Sequence, residues 1–425
     1  MCIEESLGNK NVFQQLYNIC MQAAQEEYGT PISSFVLNRV KYELKCIKKI
    51  DYASYYLRTI KLVDKARSLG YKYGAVGTES ASLVAYFCKI TNINPLPPHY
   101  YCSSCHLMVN PDEQIKRYWT VAYDLPDKIC EKCGKQMIKS GFNIPFESFW
   151  GIDGEKNKYA YFSFVFADYL RDVIMNDYQN YNHGINIVES IGNEDGVLSD
   201  LLVEDTHIKQ RVYVNKYLSI LHDLEELTGV NMDDISYCDS QIIELFDSKK
   251  LQNEECLPLL FNVSSWQILS RYTLNKFSDL LSAWALICDT SPWMTRKNKK
   301  CFSMPCESIN ELIGIRENVM LYLLEHNISF EHAYYIMEDV RRGKGLNAYL
   351  VKALYDADIP DCYIESWDKY RYMRPKASVI TDVKIAWCMA YYKRYYPDSF
   401  YVVLEKHHLI GDKVNKRGKK IHYNT

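Results

Sequence analysis

The sequence has no run of about 18 apolar residues, the length a helix needs to cross a bilayer, so a spanning helix is excluded. It also has no start resembling a secretory signal: Met1-Cys2-Ile3-Glu4-Glu5 is acidic and leads into no apolar core. There is no internal repeat and no low-complexity tract, which sets aside solenoids and linker-like chains. No Ser-His-Asp, HExxH or P-loop pattern occurs, so the common hydrolase and NTPase chemistries lack a carrier. Charge of one sign is missing too. With 50 basic and 53 acidic residues the net charge is −3, and the average names no partner. A composition of 48% hydrophobic and 24% charged residues excludes wholesale disorder. At 425 residues the chain has room for roughly two to four domains.

The even average hides a gradient. Residues 291–425 hold 22 basic and 16 acidic side chains, a net of +6 against −9 for residues 1–290. A basic C-terminal third suits phosphate, whereas the acidic remainder needs a local basic groove to meet it. Tyrosine is abundant, at 36, which suits base stacking beside phosphate contacts or simply reflects biased composition. The 15 cysteines are scattered over a long chain with no short scaffold to staple, which implies a reducing, cytoplasmic compartment.

Periodicity gives a coarse outline. Thr30-Pro31 reads as an N-cap followed by proline at the first helical position, with Leu37, Val40, Leu44 and Ile47 on one face. A second helical stretch from about Leu57 to Leu69 stops at Gly70. Gly77-Thr78-Glu79-Ser80-Ala81-Ser82 is a turn feeding a helix N-terminus, where backbone N–H groups can hold an anion. Tyr159 to Phe164 reads as an aromatic strand, and the polar residues 182–208 as a loop or shortened insertion. Beyond about residue 212 the pattern is mostly helical, and the last dozen or so residues form a basic tail.

Cys102-x-x-Cys105 and Cys130-x-x-Cys133, with 24 residues between the pairs, have the spacing of a four-thiolate zinc site. Four ligands leave no open position, so such a zinc is structural. His99 and His106 nearby read as ordinary surface histidines.

Around these cysteines several motifs stand in register. Asn94-Pro95-Leu96-Pro97-Pro98-His99-Tyr100, Asp124-Leu125-Pro126-Asp127-Lys128, Ile144-Pro145-Phe146-Glu147-Ser148-Phe149 and Leu227-Thr228-Gly229 are followed by Glu311-Leu312-Ile313-Gly314. Val340-Arg341-Arg342-Gly343-Lys344-Gly345-Leu346 and Met373-Arg374-Pro375-Lys376-Ala377 complete the series. Together they resemble the PolC-type, C-family bacterial DNA polymerase III alpha subunit over most of residues 20–404. The resemblance implies an α+β fold: a polymerase-beta-like palm of C-family type, an inserted four-cysteine zinc module, a shortened thumb and a mostly helical fingers domain. The expected divisions are 1–93 for palm helices and a phosphate loop, 94–146 for the zinc module, and 147–260 for the rest of the palm with a thumb at about 168–208. Residues 261–404 then form the fingers and 405–425 the basic tail. The family's exonuclease, PHP, OB-fold, clamp-binding and helix-hairpin-helix segments are expected to be absent.

The same resemblance locates what is missing. Such polymerases hold two Mg²⁺ ions on three aspartates that clamp the attacking oxygen and the leaving pyrophosphate. Here those positions fall on Tyr159, Tyr161 and Arg211, none of them a magnesium ligand. Asp153, Glu155 and Asp223 are the fallbacks if the correspondence slips. The arginine of the triphosphate loop falls on Val76, with Glu79 nearby. The Ser-His-Gly-Thr-Asp-x-Trp motif becomes Ile287-Cys288-Asp289-Thr290-Ser291-Pro292-Trp293, and a usual histidine is Ser378.

Basic clusters remain at Arg341, Arg342 and Lys344, at Lys369, Arg371, Arg374 and Lys376 interleaved with Tyr370 and Tyr372, and at Arg296, Lys297, Lys299 and Lys300. Each is either a phosphate contact or a solvated face. The expectation is a catalytically inactive PolC-like protein with structural zinc and no Mg²⁺. It would bind primer–template or single-stranded DNA weakly, or a replication protein, and no membrane. The alternative is a DNA-directed DNA polymerase fragment with a relocated metal site. An enzyme with new chemistry in the old cleft has less support. Sequence leaves the oligomeric state open.

Overall fold

Three helices open the chain, and the structure, a computed structural model, describes residues 3–154, 162–170, 173, 186–192, 198–205, 208–246, 272–288 and 307–409. Helix α1 spans Ile3–Tyr28, α2 Ser34–Lys49 and α3 Ala53–Ser68. The apolar period of α2 is as expected, but its start is not. Ser33 is the N-cap, its Oγ accepting from the Val36 N–H at 3.5 Å, and Thr30-Pro31 stays outside the helix. A serine in extended backbone satisfies an orphan donor that a proline start leaves to solvent. Helix α3 gives way at Leu69 and Gly70, where a φ of +79° suits glycine.

Strand β1 (Tyr73–Ala75) leads through a short 3₁₀ turn, Thr78–Ala81, into α4 (Leu83–Phe87). Strands β2 (His99–Tyr101), β3 (Met108–Val109) and β4 (Ile138–Ser140) make a small antiparallel sheet in the order β3-β2-β4. After α5 (Glu147–Trp150) comes β5, Phe162–Phe166, every residue of which is buried. A strand covered on both faces needs a near-continuous apolar run, which this segment supplies but for Ser163.

Within the segment read from sequence as a loop or shortened insertion, residues 186–192 and 198–205 are strand. Strand β6 (Asn186–Gly192) and β7 (Leu198–Asp205) form a hairpin paired from Asn186↔Glu204 to Gly192↔Leu198, and β7 pairs in turn with β8 (Ile208–Val214). The glycines and acidic residues that suggested a loop are compatible with a paired ladder, because tertiary pairing overrides weak strand propensity. The sheet runs β1-β5-β8-β7-β6, with β5 and β8 parallel and the other neighbours antiparallel.

The remainder is helical: α6 (Lys216–Thr228), α7 (Ser240–Ile243), α8 (Phe277–Cys288), α9 (Arg316–Glu325), α10 (Phe330–Arg341), α11 (Ala348–Asp356), α12 (Asp361–Lys369), α13 (Lys376–Tyr395) and α14 (Pro397–Lys406). Two apolar cores organise them. The larger joins the N-terminal helices and the sheet to α6, α13 and α14, through residues such as Tyr56, Phe164, Leu221, Trp387 and Phe400. The smaller holds Leu286, Ile313, Val319, Met337, Leu354 and Trp367. Helix α8 serves both, Phe277 and Leu280 facing the first and Ala283 and Leu286 the second. Residues 377–404, grouped by sequence with the helical domain, bury their apolar side chains in the larger core. Thr381 ties α13 to the sheet edge by donating to the Ala75 carbonyl at 2.9 Å. No described helix is long and apolar enough to cross a membrane.

Candidate functional site

The two cysteine pairs meet across the small sheet. Each sits in a matching turn: Cys102 N–H donates to Leu107 O at 2.9 Å and His106 N–H to Cys102 O at 2.8 Å. In the second turn Cys130 N–H donates to Lys135 O and Gly134 N–H to Cys130 O, both at 2.8 Å. His106 and Gly134, four residues after the first cysteine of each pair, carry positive φ values of 54° and 71°. The Cys102–Cys133 and Cys105–Cys130 sulfurs are 3.4 Å apart, and all four lie within 4.8 Å of one another. Tetrahedral zinc with bonds of about 2.3 Å places its sulfurs about 3.8 Å apart, so the set fits a metal such as zinc. Within the cluster the Cys102 and Cys130 thiols are lowered, Cys102 chiefly by the backbone N–H groups of Cys105 and Ser104, and those of Cys105 and Cys133 are raised.

The nearby histidines are not ligands. His106 is exposed and packs on Gly29. His99 is fully buried, which corrects the surface reading. Its ring contacts the Tyr28 hydroxyl at 2.8 Å and the Pro97 carbonyl at 2.8 Å, and burial pushes its pKa down to about 4. A neutral ring with both nitrogens engaged anchors the cysteine module to α1.

In the sheet, β5 and β8 are adjacent and parallel, and Arg211 lies on β8. Their register sets Arg211 beside Ser163. Tyr159, Tyr161 and the fallback Glu155 lie outside the described residues, as do Arg296, Lys297, Lys299, Lys300 and the segment 289–293. Of the other fallbacks, Asp153 sits in a short turn at φ 52°. Asp223 is already engaged: its Oδ2 is 2.7 Å from Lys406 Nζ and 2.7 Å from His407 Nε2, and accepts from the Tyr169 hydroxyl at 3.1 Å. Among the described residues, the four cysteines alone bring three or more metal-type ligand atoms together.

The turn between β1 and α4 is closed by two carboxylates. Glu43 of α2 accepts from the N–H groups of Leu83 at 3.0 Å and Val84 at 3.1 Å and from Ser82 Oγ at 2.8 Å, and is held by Arg39 at 2.5 Å. Glu79 is fully buried, and its Oε1 accepts from the Gly77 N–H at 3.1 Å. Burial pushes its pKa up to about 8, against the pull of backbone N–H groups of Glu79, Gly77 and Ser163 and of the Arg316 charge. Sequence reasoning missed Glu43, although a signal existed: it lies on the Val36, Val40, Leu44 and Ile47 face of α2, a carboxylate at a core position.

The two described basic clusters do come together. The turn after α10 lies on the segment 371–373: a β-carbon at Gly343, φ +63°, would stand 2.3 Å from the Arg371 carbonyl oxygen, and Met373 N–H donates to Arg341 O at 3.2 Å. Their charges, however, are largely met from within. Arg341 and Arg342 both pair with Glu338, at 2.7 and 2.9 Å, and Lys344 with Asp339 at 3.7 Å. Lys369 pairs with Glu365 at 3.6 Å and Arg374 with Asp382 at 3.0 Å. Lys376 is 1% exposed, with no hydrogen-bond partner for Nζ among the described residues, and burial pushes its pKa down to about 8 despite Glu317 and Asp124. Arg371 is exposed, and no described carboxylate pairs with it. Tyr372 is 47% exposed, whereas Tyr370 is buried with its hydroxyl on Ile313 O at 3.4 Å. Tyr372 is thus the ring of the two that can meet a base.

Residues 14–188 match the family model described as the bacterial DNA polymerase III alpha NTPase domain. The chain is 28% identical over 91% of its length to a DNA polymerase III PolC-type of Caldanaerobacter subterraneus subsp. tengcongensis, and 28% over 93% to that of Halalkalibacterium halodurans. For Staphylococcus aureus the figures are 26% and 91%. In each case the chain spans 33% of the relative's length. These likenesses support reading the chain as a PolC-like relative of bacterial DNA polymerase III.

Proposed function

We propose that this PolC-like core carries out no nucleotidyl transfer and serves as a folded platform for DNA or a replication protein, its four cysteines holding one structural zinc. The observation that carries the reading is Arg211 on β8, the parallel neighbour of β5, at the position where the resemblance expects the third magnesium-binding aspartate. A cation there repels Mg²⁺, and without the metal pair phosphoryl transfer loses stabilisation on the order of several kcal/mol per metal role. The engagement of Asp223 by Lys406 and His407 supports the same reading against a relocated site.

Primer extension with Mg²⁺ or Mn²⁺ tests it. The expected result is no product above a blank without protein. Extension that disappears in Asp153→Ala or Glu155→Ala would establish the alternative, a working polymerase fragment with a displaced metal site. Binding of primer–template or single-stranded DNA, read by fluorescence anisotropy at about 50 mM salt, is expected in the micromolar range usual for non-specific contacts. No binding at tens of micromolar protein leaves the replication-protein version, tested by pull-down with and without DNase.

A further inference from the structure

Where β1 begins, the C-terminal ends of α1, α3 and α6 border a cavity of about 800 Å³. The last turn of each helix supplies lining side chains: Glu26 and Glu27 from α1, Arg67 from α3 and Glu225 from α6. A helix C-terminus carries roughly half a negative charge on its free carbonyls, so three of them beside these carboxylates favour a cation. The cations already in the lining leave that demand unmet. Arg67 pairs with Asp64, and Lys72 Nζ is 2.6 Å from Asp233 Oδ2 and donates to Asn231 Oδ1 at 3.0 Å, reaching Glu225 only at 3.6 Å. The third, Lys89, is exposed. Glu27 accepts from the Tyr86 hydroxyl at 2.9 Å, and among the described residues no cation pairs with it. Burial pushes the carboxyl groups of Glu27 and Glu225 up, the mark of charges with too little compensation.

The same cavity is lined by three tyrosines, Tyr71, Tyr73 and Tyr86, whose rings take both methylene and ammonium groups. A bare divalent ion finds no cage here, because among the described residues the four cysteines alone gather three metal-type ligand atoms. We propose that this cavity binds a linear aliphatic polyamine, its ammonium groups held by Glu27 of α1 and Glu225 of α6 and its methylene chain lying along the tyrosine rings. The site is separate from the proposed platform chemistry: Tyr73 pairs with Phe166, three residues along β5 from Ser163, the neighbour of Arg211.

The test titrates the full chain, with zinc, by calorimetry at about 50 mM salt against hexamethylenediamine, spermidine and the uncharged diol of the same chain length as the diamine. Both amines are expected to bind saturably below about 1 mM and the diol not at all. Glu27→Gln and Glu225→Gln keep the shape and remove the charge, and each should weaken spermidine roughly tenfold. Asp356→Asn, at an exposed acid that ends α11, should leave the affinity unchanged. Wild type without saturable amine binding, or binding the diol as well as the diamine, overturns the proposal whether or not the variants fold. Folded Glu27→Gln and Glu225→Gln that bind spermidine as wild type does, or that lose no more than Asp356→Asn, overturn it as well. Inorganic tripolyphosphate in the same cell is expected to give no binding; saturable binding that spermidine competes away would make the cavity an anion site and defeat the inference.

Discussion

Glu79 and Lys376 are buried ionisable groups linked through the Arg316–Glu317 pair, and their protons act on stability in opposite senses. Glu79 is raised to about 8 in the fold against about 4.3 in an unfolded chain. Its contribution is therefore complete below about pH 4.3 and is lost as pH climbs toward 8. Lys376 is depressed to about 8 against about 10.4, so the fold regains stability only between those values. Thermal melts across pH 5–10 should show a trough near pH 8. Glu79→Gln should remove the fall on the acid side, a difference on the order of a few kcal/mol at about 1.4 kcal/mol per pKa unit. A melting profile for Glu79→Gln parallel to wild type from pH 5 to 8 would contradict the assignment. The tyrosines give a second contrast at this scale. Tyr372→Ala should weaken single-stranded DNA binding by about 1–3 kcal/mol if its exposed ring stacks on a base. Tyr370→Ala should instead lower stability by about 3–5 kcal/mol, measured by denaturant titration, because its ring fills the smaller core.

Among elements, the cysteine module depends on its metal more than on its core. Tyr100, Leu125 and Met137 are its main buried apolar side chains beside two of the cysteines. So small a cluster cannot outweigh the entropy of ordering its loops. Elemental analysis should give about one zinc per chain, and chelation or Cys130→Ser should remove hydrogen-exchange protection from β2, β3 and β4 first. Protection in β5 and α13 should persist, since those elements belong to the larger core. Loss spread evenly over the chain would show that the module is not a separate unit. The hairpin β6–β7 makes a different point. Its residues were read as a loop or shortened insertion because they are polar, yet a strand needs only a partner of the right register, and β8 supplies one.

At the scale of the whole molecule, charge is shared more evenly than the basic C-terminal third implied. Because Arg341 and Arg342 share Glu338, and Lys344 lies 3.7 Å from Asp339, these residues already have intramolecular counterions. Changing all three to alanine should flatten the dependence of log affinity on log salt by about one unit, where free residues would give nearly three at about 0.9 per phosphate contact. Anisotropy titrations at several salt concentrations read this slope. A drop close to three would mean the pairs open on DNA.

The order of motifs along the chain already carried the resemblance to PolC, the α+β class and the metal-type cysteines, because those rest on residue identity and local spacing. The amphipathic period of α2 was legible for the same reason: a 3.6-residue repeat is local. What only the tertiary structure decided is where charges end. That Glu43 and Glu79 fill the turn before α4, that Lys406 and His407 hold Asp223, and that Glu338 neutralises two arginines depend on which elements meet. The Glu43 and Asp223 contacts join groups far apart in sequence, whereas Glu79 and Gly77 are two residues apart. Glu338, three and four residues from its arginines, is local, but burial makes it count, since ion pairing grows stronger as water is excluded.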